Sequence, residues 1–232
     1  MEIYLVIIFI LIFNFLILFN FDRLSKISLF LDNPDGKLKK HRHPISLLGG
    51  LIILLNLYLI IFSFKLLNLD NLIFTGEFLY LVILLSTFFY IVGAVDDIKN
   101  LSPRLKLFFI TLSFLAVVFF FPDIKLELIK ITFLKKTYYF NNFSVIFLLF
   151  SFLLLSNAMN MFDGINLQLI FFSIFIFVVF IIKSFLPFFF LTLTISLLIL
   201  GVLNFKNKVF LGDGGCYLLS SIIGCTFIYQ YK

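Results

Sequence analysis

Residues 77–121 read EFLYLVILLSTFFYIVGAVDDIKNLSPRLKLFFITLSFLAVVFFF. An apolar run is followed by a short break holding Asp96, Asp97, Lys99, Arg104 and Lys106, and then by a second apolar run. Each run approaches the roughly 20 residues that an α-helix needs to cross about 30 Å of hydrocarbon. In lipid a helix satisfies its own backbone hydrogen bonds, whereas an open strand does not. The stretch therefore predicts two spanning helices, near 77–95 and 105–121, with Ser102 and Pro103 suited to starting the second.

The same arithmetic carried outward finds six more runs, at about 3–21, 46–64, 143–159, 165–183, 185–203 and 214–230. Composition agrees: of 232 residues 62% are hydrophobic and only 13% charged, where a soluble domain keeps about a quarter charged. A water-soluble globule, a disordered chain, collagen and a coiled coil are excluded. The expected fold is an all-α polytopic bundle of eight spans forming a single integral-membrane domain over 1–232. The first run lacks a basic leader and a small-residue cleavage site, so it reads as a retained span. The 37 Phe are read as compositional bias rather than as an aromatic binding surface. Cys216 and Cys225 lack the spacing of a zinc or redox motif. No internal repeat suggests the inverted halves of many transporters. The longer segment 122–142 alternates apolar and polar residues around Lys125 to Ile131, which suits a small β-hairpin.

Lys and Arg divide 11 to 7 between alternate loops. Short cytoplasmic loops retain basic residues, which puts the segment Asp22 to Ile45 in the cytoplasm and the amino terminus outside. The unusual polar groups then gather at cytoplasmic helix ends, in four loops. The first, Asp32 to Gly50, concentrates Lys37, Lys39, Lys40, His41, Arg42 and His43 ahead of Gly49 and Gly50. The cluster suits phosphates, or serves as a positive-inside anchor touching anionic headgroups. The second carries Asp96 and Asp97, neighbours that repel unless a cation or proton is shared; a solvated pair beside Lys99 is the plainer account. The third, Asn157 to Leu167, holds Asp163 among Asn157, Asn160 and Asn166, where an isolated acid marks function or helix capping. In the fourth, Asn204 to Cys216, Asp213 sits between Gly212 and Gly214, whose bare backbones allow close approach to a phosphate or form a simple capped turn.

Taken together, His41-x-x-Pro44 before Gly49-Gly50, Gly93-x-x-Asp96-Asp97 with Ser102-Pro103-Arg104 behind it, Asn157-Ala-x-Asn160-x-x-Asp163-Gly164-x-Asn166, and Phe210-x-Gly212-Asp213-x-Gly215 resemble the polyprenyl-phosphate N-acetylhexosamine-1-phosphate transferases. The likeness covers nearly the whole chain. It implies a Mg²⁺-dependent enzyme that transfers an N-acetylhexosamine-1-phosphate from a UDP-sugar to undecaprenyl or another polyprenyl phosphate, releases UMP and starts a cell-envelope glycan such as O-antigen. It also implies a multi-pass protein of the bacterial inner membrane with its active site facing the cytoplasm. The implied partners are UDP-N-acetylhexosamine, polyprenyl phosphate and membrane lipid, with no nucleic acid; a homodimer is left open.

By the resemblance, Asp96 and Asp97 are the catalytic pair, Asp213 and Asp97 meet Mg²⁺, and Phe210 stacks near uracil. Asn160 and Asp163, with Asn157 nearby, lie on the nucleotide side; Lys99, Lys106, Lys40, His41 and Arg42 face phosphates. Asn166 stands where many relatives have aspartate. The family also carries a histidine-rich loop after a ninth span, and the chain is expected to be short of it. A scaffold without catalysis and a polytopic transporter are the rival classes; a transporter would place its rare acids near mid-membrane.

Overall fold

The structure, a computed structural model, describes residues 2–27, 31–32, 43–69, 76–122, 124–131, 133–140 and 143–231. All eight apolar runs are helices: α1 (Glu2–Ile27), α2 (Gly49–Leu66), α3 (Gly76–Lys99), α4 (Pro103–Phe120), α5 (Ser144–Phe162), α6 (Gln168–Ile182), α7 (Pro187–Phe205) and α8 (Gly212–Tyr231). Six of them, all but α6 and α8, are long and apolar enough to cross a membrane. The chain is a multi-pass membrane protein.

The two exceptions have different causes. The sixth run was expected from residue 165, but Leu167 turns into the left-handed region at φ 68° and α6 starts only at Gln168, leaving 15 residues. Helix α8 has 20 residues but dilutes its apolar character with Gly, Ser, Thr, Cys and Tyr. Those residues have no need of lipid. Every residue from Gly214 to Ile223 is buried, because α8 lies at the centre of the bundle, packed against α2, α3 and α5.

Small and hydroxylated side chains let those backbones close in, as expected where lipid supplies no hydrophobic drive between helices. Ser220 of α8 lies 3.1 Å from Ser156 of α5, and Ser221 donates to Ser86 of α3 at 2.9 Å. Ser156, Ser220 and Ser221 each also have a carbonyl of their own helix within hydrogen-bonding reach. A second polar cluster joins the periphery. Asn14 of α1 and Asn56 of α2 exchange hydrogen bonds at 2.6 and 3.1 Å, and Ser196 of α7 donates to Asn56 Oδ1 at 2.9 Å.

Successive helices alternate in direction, so one end of the bundle gathers the close of α1, α3, α5 and α7 and the start of α2, α4, α6 and α8. At this polar end two short strands pair antiparallel, β1 (Leu31–Asp32) with β2 (Ile45–Ser46). The second span, expected from residue 46, consequently begins at Gly49. At the opposite end the expected hairpin is present as β3 (Leu128–Ile131) and β4 (Lys136–Tyr139), with Leu128 opposite Tyr139 and Ile131 opposite Lys136.

Candidate active site

At the polar end a cleft of about 1120 Å³ is lined by Asp96, Asp97, Lys106, Asn160, Asp163, Phe210 and Asp213. Seven residues singled out in the sequence, drawn from α3, α4, α5 and the passage into α8, thus meet in one place. Of the others, Lys99 and Asn157 are exposed and do not line the cleft; the Asn157 amide donates to the Leu153 carbonyl at 2.9 Å. Lys40, His41 and Arg42 lie outside the described residues.

Helix α3 runs past its apolar stretch to Lys99, so the aspartate pair is helical rather than in a loop. Asn100 ends the helix with φ 47° and donates its N–H to the Asp96 carbonyl at 2.8 Å, a stop that Asn tolerates better than most residues. Asp96 Oδ1 accepts the next amide, Leu101 N–H, at 2.8 Å. This side chain is almost fully buried, and its other oxygen is ion-paired with Lys106 from the first turn of α4.

Asp97 faces a different way. Its Oδ1 accepts the N–H of Asp213 at 2.9 Å and its Oδ2 the N–H of Gly214 at 3.1 Å. These are orphan donors at the start of α8, normally satisfied by a capping side chain within the same segment. Here the cap comes from another helix. The carboxylate also sits favourably at the positive end of the helix dipole. Gly212 is required twice over: its φ is 70°, and a Cβ there would lie 2.5 Å from Asp97 Oδ2. One turn before Asp97, a Cβ on Gly93 would lie 2.5 Å from the carbonyl carbon of Asp213. Glycine at these positions lets α3 and α8 approach closely enough for the cap to reach.

Asp213 completes the cluster. Its Oδ2 lies 3.1 Å from Lys106 Nζ, and its carboxyl is within hydrogen-bonding reach of Asp96. One ammonium therefore touches two acids from different helices. Asp163 follows the end of α5, its N–H on the Met159 carbonyl at 3.1 Å. Burial pushes its carboxyl up to about 7, helped by the charges of Asp213 and Asp97 and opposed by a hydrogen bond with the Cys216 thiol.

The first and last loops build the cleft wall. Phe210 N–H donates to the Ser46 carbonyl at 2.8 Å, and Gly49 N–H donates to the Phe210 carbonyl at 3.1 Å. A Cβ on Gly49 would lie 2.5 Å from that same Phe210 oxygen, which accounts for the first glycine of the pair. Asn204, not singled out in the sequence, ties the third loop to the fourth. Its Oδ1 accepts Leu167 N–H at 2.7 Å and its Nδ2 donates to the Val209 carbonyl at 2.9 Å. Tyr217, also missed, has its hydroxyl 3.5 Å from Asn160 Nδ2. Asp32 and His43 join the lining from the first loop. The signal for Asn204 was an amide closing an apolar run; nothing in the apolar context of Tyr217 set it apart.

The donor chemistry bears on a metal. Among the described residues no group of three His, Cys, Asp or Glu could by itself hold an ion. Mg²⁺ is usually bound through one or two carboxylates, with phosphates and water completing its shell. Asp96 and Asp213, both reached by one cation, fit that requirement; each Asp97 oxygen retains a lone pair beyond its amide bond.

The family model described as glycosyl transferase family 4 matches residues 79–231, about two thirds of the chain and every acid of the cluster. No curated protein matches the sequence.

Proposed function

The chain belongs to glycosyl transferase family 4, the kind of membrane transferase that moves a sugar-1-phosphate onto polyprenyl phosphate, and we propose that its donor is a UDP-N-acetylhexosamine and its acceptor undecaprenyl phosphate. An oxygen of the lipid phosphate attacks the sugar-bearing phosphorus, the bond to the UMP phosphate breaks, and UMP leaves. The product is a lipid diphosphate sugar that begins a cell-envelope glycan. The polar end faces the cytoplasm of a bacterial inner membrane in this reading, where the water-soluble donor and the lipid headgroup meet.

The observation that carries the reading is the convergence of Asp96, Asp97, Asp163 and Asp213 on one cleft with Lys106 inside the cluster. So many carboxylates repel a diphosphate unless a cation intervenes. Mg²⁺ bound through Asp213 and Asp96, in place of the expected Asp213 and Asp97 because both Asp97 oxygens accept α8 amides, would supply that charge, spreading the negative charge of the reacting phosphates. The protein's own part is mainly positioning. Phe210 offers a ring to the uracil, Asn160 and Asp163 face the nucleotide side, and Lys106 presents an ammonium to phosphate. Asp97 holds the start of α8, and through it Asp213, in place.

The test is UMP release by the purified protein in detergent, given undecaprenyl phosphate and UDP-N-acetylhexosamines in turn. Release that requires Mg²⁺, stops with EDTA and is lost in Asp213→Asn is the expected result. No release with any of these donors would remove the proposal.

A further inference from the structure

Two of the four acids have carboxylates fixed by backbone amides, and the cation beside them has no such tie. Asp96 is fixed by burial and by the Leu101 amide, and Asp97 by two amides of α8; the Asp213 carboxylate, in the first turn of α8, meets Lys106 and Asp96. Lys106 is held only through its ammonium, on Asp96 and on Asp213 Oδ2. Its side chain is 27% exposed, against 2% for Asp96. A four-carbon stem from the first turn of α4 can carry the charge several ångströms without moving any helix.

From this contrast we infer that Lys106 is a tethered counter-ion, which holds the Asp96 and Asp213 carboxylates together until a divalent cation arrives with a diphosphate, and which then moves onto phosphate. The inference rests on the transferase reading above. Ammonium and divalent ion compete for the same two carboxylates, so the protein alone binds the metal weakly. A diphosphate offers the ammonium a new partner and frees the acids, so nucleotide and metal each strengthen the other's binding. By linkage the two effects are equal in size. The arrangement favours entry of the metal as a nucleotide complex and keeps a buried acid pair neutralised between turnovers.

The experiment is Mn²⁺ binding to the full chain in detergent, followed by electron paramagnetic resonance with and without UDP, with the signal of Mn²⁺–UDP in buffer subtracted. In the wild type, UDP should tighten Mn²⁺ binding about tenfold, within the usual range for coupled sites. Lys106→Met should bind Mn²⁺ alone about tenfold more tightly than wild type, because the competing charge is gone, and UDP should then add little. Lys106→Arg should stay close to wild type. Mn²⁺ binding that is indifferent to UDP in the wild type, or no tighter in Lys106→Met or Lys106→Gln, overturns the proposal. Asp213→Asn separates this failure from that of the transferase reading. If Asp213→Asn abolishes Mn²⁺ binding while the Lys106 variants gain nothing, only the counter-ion role falls. If Asp213→Asn binds Mn²⁺ as well as wild type, the metal assignment falls and the counter-ion role with it.

Discussion

Helices α1 and α8 have opposite relations to the membrane. The first is the most apolar of the six clear spans, yet only 17% of its apolar stretch is buried; Tyr4, Phe15, Leu16 and Phe19 look outward. The second is too polar to rank among those spans, and it occupies the centre of the bundle with Asp213 at its tip. Hydropathy reports which surface meets lipid, since lipid tails and helix faces gain nothing from each other's polarity. The helix that organises the site is recognised by its small residues instead.

Replacing Asp213 should produce the largest effect. Asp213→Asn keeps the shape but removes a charge that Lys106 and the proposed metal both meet, and turnover should fall on the order of a thousandfold, as for loss of a key electrostatic group. Phe19→Ala at the rim of α1 should leave UMP release unchanged. A comparable loss in both variants would end the distinction between a functional centre and a lipid-facing edge.

Next in size is the backbone contact that lets α3 cap α8. In Gly93→Ala the new methyl would press on the peptide carbonyl of Asp213, which is backbone and cannot step aside. Overpacking of this kind costs about 1–3 kcal/mol, and the displaced cap should take activity with it. Gly164→Ala is the matched control, since its Cβ would meet only the Met161 oxygen at 3.8 Å. Melting temperature measured on both variants, with UMP release on Gly93→Ala, checks the pair. Equal tolerance would mean that α3 and α8 are not held at glycine distance.

Much of this was legible in the residues. Apolar length alone marks all eight helices and the polar loops, because membrane thickness is an external ruler. The four acids stood out for being charged in such company. Their roles were less readable. Asp96 and Asp97 are adjacent in sequence, but successive helical residues point about 100° apart, so one meets Lys106 and the other meets the amides of α8. Lys99 and Lys106 looked equivalent until Asn100 ended α3 and turned only the second back over the acids. Asn204 and Tyr217 matter through partners 37 and 57 residues away, and no local pattern announces such a contact.

A smaller, graded effect concerns pH. Burial raises the Asp163 carboxyl to about 7 from an ordinary 3.8. Between these values the folded chain keeps a proton that the unfolded chain has released. The resulting stability is fully present below about pH 4 and is lost as pH rises through 7. In EDTA the wild type should therefore melt at progressively lower temperature from pH 4 to pH 7, and Asp163→Asn should show a shallower decline. Parallel curves would place Asp163 in a more solvated setting than its neighbours imply.

The smallest effect returns to α1. With most of its surface facing lipid, its buried contacts are few, and one of them is the reciprocal pair of Asn14 and Asn56. Interhelical polar bonds in membranes average well under their nominal strength, about 0.6 kcal/mol in measured cycles. Asn56 also accepts from Ser196, so its replacement by Leu takes an interhelical acceptor from both α1 and α7, while Asn14→Leu takes none from α7. The two single variants should differ for that reason, Asn56→Leu being the less stable. The double variant should recover part of the combined loss, leaving a coupling of about 1 kcal/mol in reversible unfolding from detergent into SDS. UMP release should survive in all three folded variants, because the pair lies in helices that touch the cleft only through their ends. Loss of activity at full stability would show α1 acting on the site, and the contrast with α8 would then be one of degree.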